Sequence, residues 1–340
     1  MIKGHSIIAA SLALGVAMVT SIAVGATSDC RMFQVAELPV RLTHNKLIVD
    51  GELNGHKIGI VLDTGATRTL IFRSAAERLG LRRDRVRGVR MFGIGGETDV
   101  ESTLVDEIKI GKATRKSWRM LVGGEHEFGE DMDVLLGNDF FHNLDVEFDL
   151  SHAAVRLYQP KDCDGVSLAY WAPNIAQQVD LEPVDESRPQ MRFTVKINGQ
   201  PLRALLDSGA GISLLDSSTA ANLGVTPSTP GVVPVGAGSG LGRKKVEYWI
   251  GPFQSFSIGD ERIADTSIVF GDLFRDAKYA PQGSQVMVKV GGAAAMLLGV
   301  DFLRAHRMLV ANSQRKIYFT YAGGPVFQRV SPPPAVDTGR

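Results

Sequence analysis

Short apolar runs separated by glycine-rich segments dominate the pattern of hydrophobic and polar residues. Many of these runs alternate or are rich in β-branched residues, which predicts strands, and few segments have helical periodicity. Two short helices are predicted, at 74–81 and 217–225, and a glycine (Gly80, Gly224) stops each at its C-terminal end. The pattern therefore predicts an all-β protein with few short helices.

One long apolar segment departs from this pattern. Residues 7–26 are uncharged and mostly apolar, follow Lys3 and His5, and end in small residues. This arrangement predicts a signal peptide over residues 1–26, and hence a periplasmic or secreted protein. Because the segment is about long enough to span a bilayer, an uncleaved membrane anchor is the alternative.

The chain contains the same series of motifs twice. Each copy begins with an Asn-Gly turn and continues through an apolar strand into Asp-Thr/Ser-Gly-Ala, at residues 63–66 and 207–210. A helix, a glycine-rich hairpin, the sequence Leu-Leu-Gly-x-Asp-Phe and a pair of strands then follow in the same order. The matching segments are 74–81 and 217–225 for the helix, 89–96 and 233–242 for the hairpin, 135–140 and 297–302 for Leu-Leu-Gly-x-Asp-Phe, and 144–158 and 308–321 for the strands.

This repetition divides the chain into two homologous β domains. A length of 340 residues, with 44% hydrophobic and 22% charged residues, is enough for two folded cores. We expect an N-terminal lobe over 30–160 and a C-terminal lobe over 190–322. The polar segment 161–189 is predicted to be a linker, and the proline-rich tail 331–340 is predicted to be disordered.

Composition excludes some classes of function and leaves others open. Lysine plus arginine equals aspartate plus glutamate at 37 each, so the net charge gives no argument for a nucleic-acid partner. The seven histidines are scattered, and we predict no metal and no cofactor. The glycines of 236–242 lack phosphate-loop spacing. The arginine-rich segment 78–90 is interpreted as a solvated loop, with recognition of an acidic substrate as the alternative.

The chain has two cysteines, Cys30 and Cys163. In an exported protein they would reach an oxidising compartment, where two cysteines tend to pair. We therefore predict a disulfide between them, and two free thiols are the alternative.

The duplicated Asp-Thr/Ser-Gly segment is the strongest candidate for chemistry. Peptide hydrolysis needs an activated water and a proton donor. Two carboxylates held about 3 Å apart cannot both ionise, so that one serves as base and the other as acid. We predict that Asp63 and Asp207 form such a catalytic dyad.

The residues after each aspartate are predicted to orient it. A glycine allows the tight turn that brings a backbone N–H to the carboxylate. A hydroxyl can make a lateral hydrogen bond that fixes the loop. The orienting residues are therefore expected to be Thr64, Gly65, Ser208 and Gly209.

Together these motifs resemble those of the retropepsin-like and pepsin-like aspartic peptidases. The resemblance covers about residues 40–321, because both Asp-Thr/Ser-Gly loops and both Leu-Leu-Gly-x-Asp-Phe segments recur in order. It implies two β-barrel lobes related by a pseudo-two-fold axis, and an aspartic endopeptidase that binds a protein or peptide in extended form. It also implies that glycine-rich flaps close on this substrate, with roles for Phe92, Gly93, Gly95, Gly96, Gly236, Gly238 and Gly240.

Two departures from the family pattern distinguish the halves. Gly211 stands in the second loop where Thr67 stands in the first, and neither flap segment contains the tyrosine of pepsin-like enzymes. A third Asp-Thr-Gly, at 337–339, lies in the proline-rich tail without a preceding apolar strand, and we assign it no function.

Two alternatives to a monomeric enzyme stay open. The chain could be a non-catalytic peptide-binding protein on the same fold. Each half could also pair with the same half of another molecule, giving an obligate homodimer instead of the expected monomer with an internal pseudo-dimer. A membrane partner is expected only if the N-terminal segment is uncleaved.

Overall fold

The computed structural model describes residues 29–124, 129, 131–183, 190–273, 278–279, 288–289 and 294–327. The predicted signal peptide, the tail and the Asp-Thr-Gly at 337–339 lie outside the described residues, as does part of the predicted linker. Among the helices of the described segments, none is long and apolar enough to cross a membrane.

Strands dominate both halves, as the sequence pattern predicts. The first half contains β1 (Arg31–Pro39), β2 (Arg41–Thr43), β3 (Lys46–Leu53), β4 (His56–Leu62), β5 (Leu70–Phe72), α1 (Arg73–Arg78), β6 (Asp84–Gly93), β7 (Gly96–Ile110), β8 (Ala113–Gly123), β9 (Val134–Leu136), α2 (Asn138–Phe141), β10 (Asp145–Asp149), a 3-10 helix (Leu150–His152) and β11 (Ala154–Lys161).

The second half follows a similar order after the connecting strand β12 (Gln177–Asp180). It contains β13 (Arg192–Ile197), β14 (Gln200–Leu206), β15 (Leu214–Asp216), α3 (Ser217–Asn222), β16 (Val233–Gly238), β17 (Val246–Ile258), β18 (Glu261–Gly271), β19 (Lys278–Tyr279), β20 (Val288–Lys289), β21 (Met296–Leu298), α4 (Val300–Ala305), β22 (His306–Ala311) and β23 (Lys316–Tyr321). The two short strands β19 and β20 are additional to the order of the first half.

Each lobe is built on a closed six-stranded barrel. In the first lobe the strands follow the order β3-β4-β9-β5-β8-β7, and pairing of β3 with β7 closes the ring. In the second lobe the order is β13-β14-β21-β15-β18-β17, and pairing of β13 with β17 closes it. The prediction of two homologous β-barrel lobes with few short helices is therefore confirmed.

Local sequence explains the matching hairpins and helix ends. Asn54-Gly55 and Asn198-Gly199 have positive φ at both positions, which is the backbone of the two-residue turn that joins twisted antiparallel strands. Helices α1 and α3 end before Gly80 (φ 63°) and Gly224 (φ 81°), so the predicted glycine stops are confirmed.

A six-stranded sheet joins the two lobes. Its order is β1-β11-β10-β22-β23-β12, and the lobes meet where β10 runs antiparallel to β22. Strands β1 and β12 lie at its two edges in equivalent positions, so the segment predicted to be a linker contributes a strand to this sheet. The apolar core runs from one lobe to the other through Val146, Phe148, Met308 and Val310.

The predicted disulfide is present between Cys30 and Cys163, which are 133 positions apart in the sequence. It ties the chain just before β1 to the chain just after β11. Since β1 and β11 pair along their length, the bond fixes one edge of the shared sheet.

A buried ionic network covers one part of the same sheet. The side chain of Asp149 is only 2% exposed. Its Oδ2 accepts a hydrogen bond from Arg156 at 2.9 Å, and its Oδ1 accepts one from Ser151 at 2.8 Å and lies 2.7 Å from His152 Nδ1. Burial alone would raise the pKa of Asp149, but these partners outweigh it and lower the pKa to about 2.

Candidate active site

Asp63 and Asp207 occupy equivalent positions at the ends of equivalent strands. Each follows a buried apolar strand, β4 or β14. The backbone N–H of Asp63 donates to the carbonyl of Leu136, and that of Asp207 donates to the carbonyl of Leu298, both at 2.9 Å. The Leu-Leu-Gly strands β9 and β21 therefore fix the backbone position of each aspartate at the end of its barrel strand.

The two aspartate loops face each other across the lobes. A Cβ atom placed on Gly65 would lie 2.5 Å from Asp207 Cγ, and one on Gly209 would lie 2.2 Å from Asp63 Cγ. Each loop passes so close to the opposite carboxyl that only glycine fits. Each carboxyl therefore lies directly against the loop of the other lobe, and one polypeptide brings both predicted catalytic side chains together.

Each carboxyl is held by its own loop. Asp63 Oδ1 accepts hydrogen bonds from the N–H groups of Gly65 and Ala66, both at 2.9 Å. Asp207 Oδ1 accepts the matching pair from Gly209 and Ala210, at 2.9 and 3.0 Å. These bonds orient both carboxyls and stabilise their charged forms.

The two loop hydroxyls form a reciprocal interlock between the lobes. Thr64 Oγ1 donates to the carbonyl of Leu206 at 2.8 Å and accepts from the N–H of Ser208 at 3.1 Å. Ser208 Oγ donates to the carbonyl of Leu62 at 2.8 Å and accepts from the N–H of Thr64 at 3.0 Å. Both side chains are fully buried, so each loop is fixed by the other.

A further hydroxyl in each lobe, that of Thr69 or Ser213, fixes the end of the aspartate loop. Thr69 donates to Asp139 through its N–H and its Oγ1, at 2.9 and 2.7 Å, and accepts from the N–H of Gly137 at 3.0 Å. Ser213 and Asp301 repeat these contacts at 2.8 and 2.6 Å. The aspartate of each Leu-Leu-Gly-x-Asp-Phe segment thus ties the start of α2 or α4 to the loop that follows Asp63 or Asp207.

The electrostatics of the pair are asymmetric. Burial raises the pKa of Asp207, and the negative charge of Asp63 raises it further. Burial also raises the pKa of Asp63, but the positive charge of Lys46 and hydrogen bonds from its own loop and the opposite carboxyl oppose that effect. Two such carboxyls titrate as a unit in two steps, and at a pH between these two steps the pair holds one proton.

The predicted flap residues lie in two hairpins whose ends touch. Phe92, Gly93 and Gly96 flank the turn between β6 and β7, and Gly95 is in that turn; Gly236 and Gly238 belong to β16, and Gly240 lies in the loop between β16 and β17. The carbonyl of Ile94 accepts from Gly240 and Gly242 at 3.2 and 3.1 Å, and that of Gly95 accepts from Lys244 at 3.0 Å. The two hairpins, predicted to be flaps, are therefore joined backbone to backbone.

The described side chains of the arginine-rich segment, at residues 78–86, are exposed or half-buried on the first lobe. Arg78 pairs with Asp133, and Arg83 pairs with Glu77 and Glu101 at 3.1 and 3.3 Å. Residues 84–90 of this segment belong to strand β6, so the interpretation of the segment as a loop is wrong. In the part of the chain that the structure describes, no group of three or more histidine, cysteine, aspartate or glutamate side chains has the geometry to hold a metal ion.

Several site residues escaped the sequence-based prediction. Thr69 and Ser213 each stand six residues after their aspartate, and Lys46 and Gln190 each stand seventeen residues before it. A residue-by-residue alignment of the two halves would have exposed both pairs, because each occupies the same position in its repeat.

Comparison with known proteins decides the family. The family model described as Aspartyl protease matches residues 49–140 and 193–302, which together make up more than half of the chain. The chain belongs to this aspartyl protease family. The two matches contain both aspartates and fall one in each barrel, as in a two-lobed, retropepsin-like aspartyl protease. No curated protein matches the chain.

Proposed function

We propose that this aspartyl protease is an exported endopeptidase that cleaves peptide bonds with a water activated by Asp63 and Asp207. The observation that carries the proposal is the interlocked pair of loops, which places each carboxyl against the glycine of the opposite loop within one chain. Two buried carboxyls whose pKa values are raised by burial are typical of acid–base catalysis, which supports an enzyme over a protein that only binds peptides.

The proposed reaction starts from a dyad with one proton. The ionised carboxyl removes a proton from water as the oxygen of that water attacks the peptide carbon, and the protonated carboxyl gives its proton to the carbonyl oxygen. The carboxyl that took the water proton then gives it to the nitrogen, the other carboxyl takes a proton from a hydroxyl of the diol, and the C–N bond breaks. The products are a carboxylic acid and an amine, and the dyad again holds one proton.

The substrate is proposed to be a protein or peptide in extended form beneath the joined flap hairpins. Because these hairpins are linked by backbone hydrogen bonds, we expect them to part before a peptide enters. Both aspartates come from one chain, which supports a monomer as the active species. The Cys30–Cys163 disulfide supports an oxidising compartment, and with it the export expected from residues 1–26.

The proposal is tested by removing one carboxyl at a time. Asp63→Asn and Asp207→Asn should each lower the rate of peptide cleavage by at least about 100-fold, since each removes the acid or the base. The assay is cleavage of a peptide library, read by mass spectrometry. Asp260→Asn, in an exposed turn, is the matched control and should leave the rate unchanged.

Three outcomes would count against parts of the proposal. Wild-type activity in either dyad variant would exclude the shared dyad. Peptide binding without cleavage at any pH would identify a binding protein instead. Activity that disappears on dilution together with a dimer peak in light scattering would show that two chains form the site.

A further inference from the structure

The first lobe has an element that the described residues of the second lobe do not repeat. Strand β2 pairs with β3 on the outside of the first barrel, and the tip of this hairpin is His44-Asn45. Both tip residues have positive φ, at 50° and 57°. Lys46 follows the tip as the first residue of β3.

Lys46 reaches across to the opposite lobe. Its Nζ donates a hydrogen bond to the carbonyl of Gly209, in the loop that carries Asp207. Gln190 stands at the equivalent position of the second lobe, and its Nε2 lies 3.4 Å from the carbonyl of Gly65. The same contact is therefore made from both sides, but with a cationic side chain on one side and a neutral one on the other.

The hairpin tip is fixed against the second lobe at two further points. Arg304 of α4 donates to Asn45 Oδ1 at 3.5 Å. A Cβ atom placed on Gly211 would lie 3.0 Å from Asn45 Cβ and 3.1 Å from its carbonyl oxygen. This close packing gives a physical reason for glycine at position 211, where the first loop has Thr67. The difference between Gly211 and Thr67 is thus linked to the hairpin that carries Lys46, because its tip packs against Gly211.

We propose that Lys46 is a positioning residue of the aspartate pair, which holds the second loop through the Gly209 carbonyl and places a positive charge beside both carboxyls from one side only. This inference deepens the proposed function, because it concerns the same two aspartates. It assigns a role to the β2–β3 hairpin, which is otherwise an appendage of the first barrel.

The surroundings of Lys46 allow its charge to act on both carboxyls. The charged side chains that face it are Asp63 and Asp207 from the two loops, and Arg304 and the half-buried Asp301 belong to the helix that packs on its hairpin. Burial is the largest influence on the pKa of each dyad carboxyl and raises it; the charge of Lys46 lowers both. Removing that charge should therefore raise both pKa values.

The test measures this titration directly, without requiring activity. Carbon-13 NMR of aspartate-labelled protein, with Asp63→Asn and Asp207→Asn used for assignment, follows the two carboxyls against pH. In Lys46→Gln, which makes the two halves alike, both titration midpoints should rise by about 1 pH unit. Lys46→Arg keeps the charge and should stay within about 0.3 units of wild type.

Two further variants define the opposite sign and the background. Gln190→Lys adds a cation at the equivalent position and should lower both midpoints. Lys112→Gln makes the same chemical change in an exposed turn and should move neither. Midpoints in Lys46→Gln that match those of wild type, with the fold intact by circular dichroism, would overturn the proposal.

Activity separates this inference from the proposed function. If wild type cleaves peptides, both limbs of the pH profile of kcat/KM should shift to higher pH in Lys46→Gln, as the NMR midpoints do. If wild type cleaves nothing while the midpoints still move, the endopeptidase proposal fails and the role of Lys46 stands. If wild type cleaves peptides but neither limb nor midpoint moves, the role of Lys46 fails alone.

Discussion

Replacing Thr64 with valine tests the interlock between the loops. The change keeps the shape of the side chain but removes Oγ1, which leaves the carbonyl of Leu206 and the N–H of Ser208 without this partner in a fully buried place. Each buried polar group left unpaired costs about 1–3 kcal/mol. Because two groups lose a partner, we expect Thr64→Val to lower the free energy of unfolding by about 2–6 kcal/mol, a large part of the total stability of an ordinary domain.

The assay is guanidinium unfolding followed by fluorescence, together with the cleavage rate. Thr64→Ser retains the hydroxyl and should keep most of the stability and activity, whereas Thr64→Val should lose both. Thr114→Val, the same change on an exposed strand position, should stay within about 0.5 kcal/mol of wild type. A Thr64→Val protein within 1 kcal/mol of wild type would refute the view that this interlock stabilises the pairing of the lobes.

Two further predictions concern the shared sheet. The double variant Cys30→Ser/Cys163→Ser should lose about 5 kcal/mol of stability in the chain-entropy model and no longer respond to reductant, whereas wild type should fall to the same level only when reduced; equal unfolding of wild type with and without reductant would contradict this. Because the pKa of Asp149 is lowered in the fold, its stabilisation of about 2 kcal/mol is present above pH 4 and lost as the pH falls towards 2. The stability gap between wild type and Asp149→Asn should therefore close over that range in acid titrations, while Asp260→Asn shows no gap at any pH.

The duplicated motifs predicted most of the fold and the centre of the site. Their order fixed the two lobes, and the apolar strand before each Asp-Thr/Ser-Gly placed the aspartates at equivalent strand ends. The hydroxyls of Thr64 and Ser208 were expected to make lateral hydrogen bonds, and they do so across the lobes. These features depend on local sequence, since turn, strand and loop are each encoded within a few residues.

Features that depend on contacts between distant segments were not predicted. Lys46 lies far in sequence from Gly209, and a lysine before a strand carries no local signal that it will reach another lobe. Strand β12 lies in a polar stretch that the sequence pattern predicts to be a linker. The pattern does not reveal this strand, because an edge strand needs few apolar residues and forms by hydrogen bonding to its neighbour, here β23. In both cases tertiary packing, and not local propensity, decides the outcome.

The contact between Gly211 and the β2–β3 hairpin also bears on the choice of partner. In a self-association of two first halves, Thr67 would stand where Gly211 stands and would meet the Asn45 turn of the other copy. A Cβ atom at this position would be 3.0 Å from Asn45 Cβ, so the turn would have to move by a few tenths of an ångström to accept a β-branched side chain. Such a pair would also place two lysines beside its carboxyls. The differences between the two halves thus favour pairing of the first half with the second half of the same chain over pairing of two first halves from different chains.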